Sequence, residues 1–241
     1  MSAVDMRILV DAGNTSIKWQ LRDGGEAVAD GQGDLSALRD WVAALDDSEQ
    51  YAVAVSCVKN DTYAHEIGRA FESLGSATLH FAKSSAIFAG VRNAYDEPQR
   101  LGVDRWLALL AVKARGQNSA VIIDVGTACT IDVLENGQHL GGYIFPGMAL
   151  ARNALVANTD RIRFSKDPEP STSLGTDTAG CVLSGIWLTL LASCQTVIDR
   201  FPNATVYLTG GSAPELVVLG LDAQRVDGLV FDGLDFWLNG A

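Results

Sequence analysis

Basic residues are scarce in this sequence. Lys and Arg number 18 against 29 Asp and Glu, so the formal net charge at pH 7 is −11. Proteins that bind a nucleic-acid backbone rely on clustered Lys and Arg side chains. We therefore expect no nucleic-acid partner. A small phosphate-bearing ligand is still compatible with an acidic chain, because backbone N–H groups, a metal ion and a few local cations can hold phosphates.

Cysteine and histidine are also rare. The four cysteines, Cys57, Cys129, Cys181 and Cys194, are far apart and show no CxxC spacing, and the chain has only 3 His. Structural zinc sites in proteins use clustered Cys and His ligands. The spacing disfavours a zinc site, and we interpret the cysteines as buried, reduced thiols.

Long apolar runs are missing from the sequence as well. We find no run that approaches the roughly 18 apolar residues needed to span a bilayer. The N-terminal residues Met1–Asp5 do not form a basic segment followed by an apolar one, as a signal peptide would. We expect a cytosolic protein with no membrane partner.

Several common catalytic motifs are absent. The sequence contains no GxxxxGK[ST] loop, no GxGxxG after a strand, no HExxH and no GxSxG. P-loop kinases, Rossmann dehydrogenases, zinc proteases and α/β-hydrolases are therefore not leading candidates. The length of 241 residues allows one large domain or two smaller ones.

Two apolar, β-branched runs each lead into an Asp-x-Gly turn. They are 8–15 and 121–128, and runs of period two follow them at 16–21 and 129–134. Each pair predicts a buried strand, a tight glycine turn and a second strand. A third strand is expected after each pair.

The two turns, at Asp11 and Asp124, stand nearly half the chain apart. This spacing indicates an internal duplication of one supersecondary unit. We predict two α/β domains, 1–117 and 118–241, that face each other across a cleft with Asp104 opposite the two turns.

The turns carry groups suited to phosphate. Glycine lets the backbone approach a ligand closely, and the backbone N–H groups can donate to phosphate oxygens. Polar side chains that could add to them are Asn14, Thr15, Thr127 and Thr130. Asp11 or Asp124 could hold a cation, and Lys18 could reach a phosphate as a point charge. The alternative is an ordinary β-hairpin with a polar turn, which two matching copies make less attractive.

Two further segments add to this pattern. Gly210 and Gly211 end a predicted strand and could leave room for an adenosine, although strand-to-helix connections often use glycine. Gly102–Arg105 opens an apolar helix, where Asp104 could act as general base for a hydroxyl and Arg105 could clamp an anion. Alternatively, Asp104 only complements the positive end of the helix dipole.

The strand–Asp-x-Gly–strand unit, used twice with a later Gly-Gly, resembles the actin-like and sugar-kinase superfamily of duplicated ribonuclease-H-like domains, whose mixed sheets are flanked by helices. Four stretches in order, 11–18, 102–105, 124–130 and 141–147, more specifically resemble the type III pantothenate kinases. The resemblance covers nearly the whole chain.

The resemblance implies phosphorylation of pantothenate by ATP to 4′-phosphopantothenate, the first step of coenzyme A biosynthesis, in a homodimer. It implies that Asp104 is the proton acceptor and that Asp124 holds a monovalent cation, potassium or ammonium, with Mg²⁺ accompanying ATP. The implied ATP-binding residues are Asp11, Ala12, Gly13, Asn14, Thr15, Ser16, Ile17, Lys18 and Thr127. The implied pantothenate-binding residues are Tyr95, Gly102, Val103, Asp104, Arg105 and Thr178.

Two other functions stay open at this stage. One is a nucleotide-binding regulatory accessory factor without kinase activity, in which Asp104 and Arg105 would serve only the helix. The other is a phosphatase acting on polyphosphate or nucleotides, which would hydrolyse ATP without an acceptor.

Overall fold

The computed structural model describes residues 6–75, 77–165 and 167–240. The strands are β1 (Met6–Ala12), β2 (Ile17–Asp23), β3 (Glu26–Gly33), β4 (Ala52–Cys57), β5 (Thr78–Phe81), β6 (Ile87–Phe88), β7 (Val91–Arg92), β8 (Ala120–Val125), β9 (Ala128–Glu135), β10 (Gln138–Pro146), β11 (Thr205–Thr209) and β12 (Gln224–Arg225). The α-helices are α1 (Leu35–Ala43), α2 (Asp61–Ala70), α3 (Val103–Ala114), α4 (Met148–Ala157), α5 (Thr178–Ile198), α6 (Ala213–Val218) and α7 (Leu229–Gly240). A 3₁₀ turn spans Pro98–Arg100.

The chain divides into two compact units. The first unit runs to Gly116 and also takes in the chain from Leu229, whereas the second unit spans Gln117–Gly228. The division after Gly116 lies beside the predicted domain boundary at 117. The structure differs from the predicted second domain, 118–241, at the C-terminal helix α7, which belongs to the first unit.

The first unit is built on a five-stranded sheet in the order β3-β2-β1-β4-β5. The β1–β2 and β2–β3 pairs are antiparallel, and the β1–β4 and β4–β5 pairs are parallel. Two glycines with positive φ, Gly24 and Gly25, close the β2–β3 turn, a conformation that glycine adopts without strain. The strand–turn–strand prediction is confirmed for this unit.

Side chains alternate along β1 and so divide between the two faces of the first sheet. Ile8 and Val10 are fully buried in a core that α1 supplies with Leu38 and α2 supplies with Ile67. The helices α3 and α7 instead pack together and contact β4, and α7 also contacts β1. The predicted arrangement of a sheet flanked by helices is therefore found in this unit.

Helix α7 joins the first unit through both close packing and ion pairs. A Cβ at Gly233 would collide with the backbone of Leu107 on α3, so glycine allows the two helices to approach. Asp235 pairs with Arg7 at 2.8 Å, and Asp232 pairs with Arg22 at 2.6 Å. These contacts bind the C-terminal helix to β1, β2 and α3, and the sequence analysis did not predict them.

The second unit repeats the first sheet. Its strands lie in the order β10-β9-β8-β11-β12, with β8–β9 and β9–β10 antiparallel and β8–β11 and β11–β12 parallel. Each of these five strands therefore has a counterpart in the first sheet, with corresponding neighbours and the same relative direction. The predicted internal duplication is confirmed in the part of the chain that the structure describes.

Helix α5 corrects one sequence expectation. By length and composition it is apolar enough to cross a membrane, with a mean hydropathy of 1.8 over an 18-residue window. The expectation that no apolar run approaches such a length is therefore wrong for 178–198. One face of α5 carries Leu183, Trp187 and Leu190 into the core of the second unit.

The cysteines also differ in part from their prediction. No cysteine is disulfide-bonded, and Cys129 and Cys194 are buried as expected. Cys181, in contrast, is exposed near the start of α5, where its Sγ donates to the carbonyl of Gly175 at 3.3 Å. The interpretation of all four thiols as buried is wrong at Cys181, because the buried residues of α5 begin only at Leu183, and Cys57 is half-buried.

Candidate active site

The first Asp-x-Gly loop connects β1 to β2. Asp11 lies opposite Lys18 on β2 and opposite Ser56 on the parallel strand β4. The backbone N–H of Gly13 donates to the carbonyl of Ser16 at 3.1 Å and closes the turn. The intervening residues Asn14 and Thr15 are exposed. The predicted ATP-binding segment therefore forms one continuous turn with an accessible tip and Asp11 at its base.

The carboxylate of Asp11 lies in an unfavourable environment for its charge. Its Oδ1 atom and the neighbouring Ser56 Oγ atom are both buried, and neither forms a hydrogen bond of good geometry. Burial, followed by the charge of Asp104, raises the pKa of Asp11 from 3.8 to about 6, although Ser56 and Lys18 lower it in part. An acid whose pKa is raised in this way is characteristic of functional sites.

These orphaned oxygens fit a cation or a phosphate-bound metal. A carboxylate oxygen beside a hydroxyl is the donor chemistry that Mg²⁺ prefers. The described residues contain no cluster of three or more His, Cys, Asp or Glu side chains that could enclose a metal alone. Mg²⁺ in kinases is commonly held by one or two carboxylates together with the substrate phosphates, so Asp11 suits an ion that arrives with a nucleotide.

The second loop resembles the first but is shorter. Asp124 lies opposite Thr130 on β9 and Thr209 on β11. Gly126 N–H donates to the carbonyl of Ala128 at 3.0 Å, so this turn closes over fewer residues than the turn after Asp11. Threonine at 130 replaces the lysine found at the equivalent position of the first loop. The two copies are therefore chemically unequal.

Two glycines from other segments crowd the second loop. Gly210, with a φ of +98°, follows β11, and a Cβ there would collide with the Asp124 carboxylate. Gly147 N–H donates to the carbonyl of Thr127 at 3.0 Å, and a Cβ at Gly147 would overlap the loop backbone. Gly210 thus packs against Asp124 and Gly147 packs against the tip of the same loop, and neither position has room for a side chain.

The predicted base lies at the start of α3. The backbone N–H of Arg105 donates to Asp104 Oδ1 at 2.8 Å. Gly102 precedes it, and a Cβ at that position would stand 2.6 Å from the same oxygen. Asp104 belongs to the same unit as Asp11, and its charge acts on Asp11. Asp104 therefore lies on the same side as the first loop rather than across a cleft from it, because α3 packs against β4 of the first sheet. Its predicted position opposite the second loop stays a prediction.

A buried arginine stands next to this acid. The Arg105 side chain is only 6% exposed. Its Nη1 atom donates to the Tyr95 hydroxyl at 3.0 Å, and its guanidinium lies 5.9 Å from the centre of the Tyr95 ring. The structure therefore brings together three of the predicted pantothenate-binding residues, Tyr95, Asp104 and Arg105.

A cavity of about 570 Å³ opens beside the same turn. Gly102 and Val103 form part of its wall, and Lys59, Lys83 and Arg100 add basic groups. Ligand sites in open α/β sheets lie outside the carboxyl ends of the strands, and this cavity follows β4 and β5. Two predicted pantothenate-binding residues, Gly102 and Val103, thus line a pocket of suitable size for a small molecule.

The remaining predicted residues lie in the second unit. Thr127 is exposed at the tip of its loop. Thr178 is the exposed first residue of α5, directly after the N-cap Asp177, whose Oδ1 accepts from Gly180 N–H at 2.7 Å. The assignments of residues to ligands, in this unit and in the first, stay predictions.

Sequence reasoning assigned no role to two polar residues of the first unit. Ser56 adjoins Asp11 only because β4 pairs with β1, and the signal in the sequence was one serine at the end of an apolar strand. Asn93 makes three side-chain hydrogen bonds around the Tyr95 segment. Its position two residues before Tyr95 was the available clue.

Comparison with known proteins identifies the family. A family model described as type III pantothenate kinase matches residues 7–200. The chain belongs to the type III pantothenate kinase family. A relative in Marinobacter nauticus, named type III pantothenate kinase, is 32% identical over 95% of this chain and 97% of its own length. Another of that name, in Aromatoleum aromaticum, is 36% identical over 95% and 96%. This family membership assigns the enzyme class of a pantothenate kinase.

Solved structures agree on the fold. A Campylobacter jejuni protein described as a conserved Baf family transcriptional activator matches with a TM-score of 0.60 and 19% identity, over 95% of both chains. A Sinorhizobium meliloti protein described as a 2-dehydro-3-deoxygalactonokinase matches with a TM-score of 0.55 and 14% identity, over 97% of both chains. The predicted actin-like and sugar-kinase fold class is confirmed.

Proposed function

We propose that the protein transfers the γ-phosphoryl group of ATP to the primary hydroxyl of pantothenate, giving 4′-phosphopantothenate and ADP, the first step of coenzyme A biosynthesis. The observation that carries the proposal is the grouping of Asp104, Arg105 and Tyr95 in the same unit as Asp11, whose Oδ1 atom is buried. A general base, an anion-binding guanidinium and a phosphate loop are the parts that phosphorylation of a hydroxy acid requires.

In the proposed mechanism Asp104 accepts the proton of the pantothenate hydroxyl. The hydroxyl oxygen forms a bond to the γ-phosphorus, the bond to the β,γ-bridging oxygen breaks, and ADP leaves with the bond electrons. The loose transition state of phosphoryl transfer needs the proton removed late, so a carboxylate can serve as the proton acceptor. Arg105, held by Tyr95, pairs with the pantothenate carboxylate and keeps the hydroxyl directed at Asp104.

The proposed nucleotide-binding residues come from both Asp-x-Gly loops, one in each unit. Backbone N–H groups and side chains of 11–18, together with Thr127, bind the phosphates of ATP. Lys18 is exposed on β2 and supplies a positive charge. Mg²⁺ bound with ATP would neutralise phosphate charge, and Asp11 would hold it. Asp124 would hold a monovalent cation, potassium or ammonium, and the close approach of Gly210 supports a compact site there.

The test is ADP release by the purified protein with and without pantothenate, first in potassium and then in sodium buffer. We expect ADP release to depend on pantothenate and to be faster in potassium. Release of ADP without any acceptor would favour a phosphatase. Binding of ATP that pantothenate neither accelerates nor alters would favour a regulatory accessory factor.

We also propose that the protein is a cytoplasmic homodimer associating through an apolar face of the second unit. Strand β10, α4 and α5 surround an apolar cavity of about 740 Å³. Large apolar side chains stay exposed on these elements, among them Ile144, Leu150 and Leu188. Contiguous apolar surface commonly marks a protein interface, and two-fold dimers are the commonest assemblies. A second copy would cover this face.

Sedimentation equilibrium tests the homodimer. The wild type should sediment at about twice the chain mass of 25.6 kDa. Ile144→Asp should give a monomer, because a charge would be buried against apolar surface. Val28→Asp is the matched control, since Val28 is 55% exposed on β3 of the first unit. A monomeric wild type, or loss of the dimer with Val28→Asp and not with Ile144→Asp, would contradict this proposal.

A further inference from the structure

The segment that carries Tyr95 has almost no regular secondary structure of its own. It runs from the short β7 strand to the 3₁₀ turn at Pro98–Arg100. A tyrosine in such a segment is held in place only if other groups fix the backbone. The precise position of its hydroxyl nevertheless matters, because that oxygen is 3.0 Å from Arg105 Nη1.

The side chain of Asn93 fixes this segment at three points. Its Nδ2 atom donates to the carbonyl of Ser85 at 3.2 Å and to the carbonyl of Pro98 at 3.1 Å. Its Oδ1 atom accepts the backbone N–H of Tyr95 at 3.0 Å. One amide group thus joins the strand connection before β6, the tyrosine itself and the 3₁₀ turn that leads to α3.

The backbone of Asn93 is held as well. Its N–H donates to the carbonyl of Ala86 at 2.9 Å. The Asn93 amide is therefore anchored on one side of the segment and bonded to Tyr95 on the other. Both amide donors and the amide oxygen are in use, and no other side chain of similar size offers two donors and an acceptor in this arrangement.

We propose that Asn93 is a positioning residue for acceptor binding, which sets the Tyr95 hydroxyl against Arg105 and so presents the guanidinium to the substrate carboxylate. The inference rests on the proposed function, because it takes Tyr95 and Arg105 to be acceptor-binding residues. Asn93 acts through the Tyr95 backbone and touches no reacting atom in this account.

Steady-state kinetics of Asn93→Ala provides the test. We expect KM for pantothenate to rise about tenfold, because a small displacement of a positioning group has large effects on binding. The kcat value and KM for ATP should stay within about twofold of wild type. A purely structural role would instead lower the amount of active enzyme and the apparent kcat while leaving KM for pantothenate unchanged. That pattern would overturn the inference.

A double-mutant cycle with Tyr95→Phe, which removes the hydroxyl, separates this inference from the proposed function. If Asn93 acts through that hydroxyl, Asn93→Ala should add less than about twofold to KM for pantothenate in the Tyr95→Phe background. An equal rise in both backgrounds would overturn the inference alone. If Tyr95→Phe leaves KM for pantothenate unchanged, the proposed role of Tyr95 fails, and the inference fails with it.

Two further variants complete the test, one conservative and one a control. Asn93→Asp preserves the size and the acceptor for the Tyr95 N–H but places carboxylate oxygens against the carbonyls of Ser85 and Pro98, so it should also raise KM for pantothenate. If Asn93→Ala fails to fold, this variant decides the question by the same criterion. Asn239→Ala is the matched control, because it removes a side-chain bond to the carbonyl of Asp235 at the exposed C-terminal end of α7 and should leave KM unchanged.

Discussion

Replacing Asp104 by Asn is expected to lower kcat for pantothenate phosphorylation by about 10²–10⁴-fold, the usual contribution of a positioned general base. The amide keeps the size of the side chain and an oxygen for the Arg105 N–H, but it cannot accept the hydroxyl proton. ATP affinity should fall little, because Asp104 does not belong to the proposed phosphate loops. Coupled kinetics and calorimetry with ATP measure the two effects separately.

The competing interpretation of Asp104 predicts a different result. If the acid only complements the helix dipole, Asp104→Asn should cost roughly 0.3–1 kcal/mol of stability and leave turnover nearly intact. Asp40→Asn, an exposed acid on α1, is the matched control for the change in charge. Near-wild-type turnover of Asp104→Asn would remove the assigned role.

Replacing Asp11 by Asn should stabilise the unliganded protein at neutral pH and at the same time reduce activity. The folded-state pKa of Asp11 is raised from 3.8 to about 6, a difference that corresponds to about 3 kcal/mol. Between pH 3.8 and about pH 6 the folded protein therefore retains a proton on Asp11 that the unfolded chain has lost. The destabilisation caused by Asp11 grows as the pH rises through that range and is complete above about pH 6. Neutral Asn removes that destabilisation.

Chemical denaturation at pH 7.5 and at pH 3.5 measures this effect. Asp11→Asn should be more stable than wild type by up to about 3 kcal/mol at pH 7.5 and nearly equal to it at pH 3.5, where both proteins carry a neutral side chain. Turnover should fall on the order of a hundredfold or more, because the variant lacks the charge that would hold the nucleotide metal. A variant less stable than wild type at pH 7.5 would contradict the account of Asp11.

Much of the sheet architecture is predictable from the sequence. Strongly apolar runs before Asp11 and Asp124, with period-two runs after them, predict the paired hairpins, since alternation specifies a half-buried strand. Helix α7 was missed because Gly233 weakens the helical pattern in a short segment. Glycine is required at this position because the helix packs closely against Leu107. That packing is a tertiary contact, and no local pattern encodes it.

The candidate site was predictable where it consists of loop residues. It was not predictable where strand pairing brings distant residues together. The Asp-x-Gly loops and Gly102–Arg105 were recognised from residue type and order. Ser56 reaches Asp11 only through the parallel register of β4 with β1, and Asn93 acts through backbone carbonyls that have no residue signature. The placement of Asp104 beside Asp11 likewise follows from the packing of α3.

The central claim is that the γ-phosphoryl group reaches pantothenate. The most direct measurement incubates wild type and Asp104→Asn with pantothenate and ATP labelled with ¹⁸O in the γ-phosphate, followed by mass spectrometry of the organic product. The account predicts a labelled phosphate monoester of pantothenate with the wild type and at least about a hundredfold less with the variant. Label found only in inorganic phosphate, or unmodified pantothenate beside bound ATP, would contradict it.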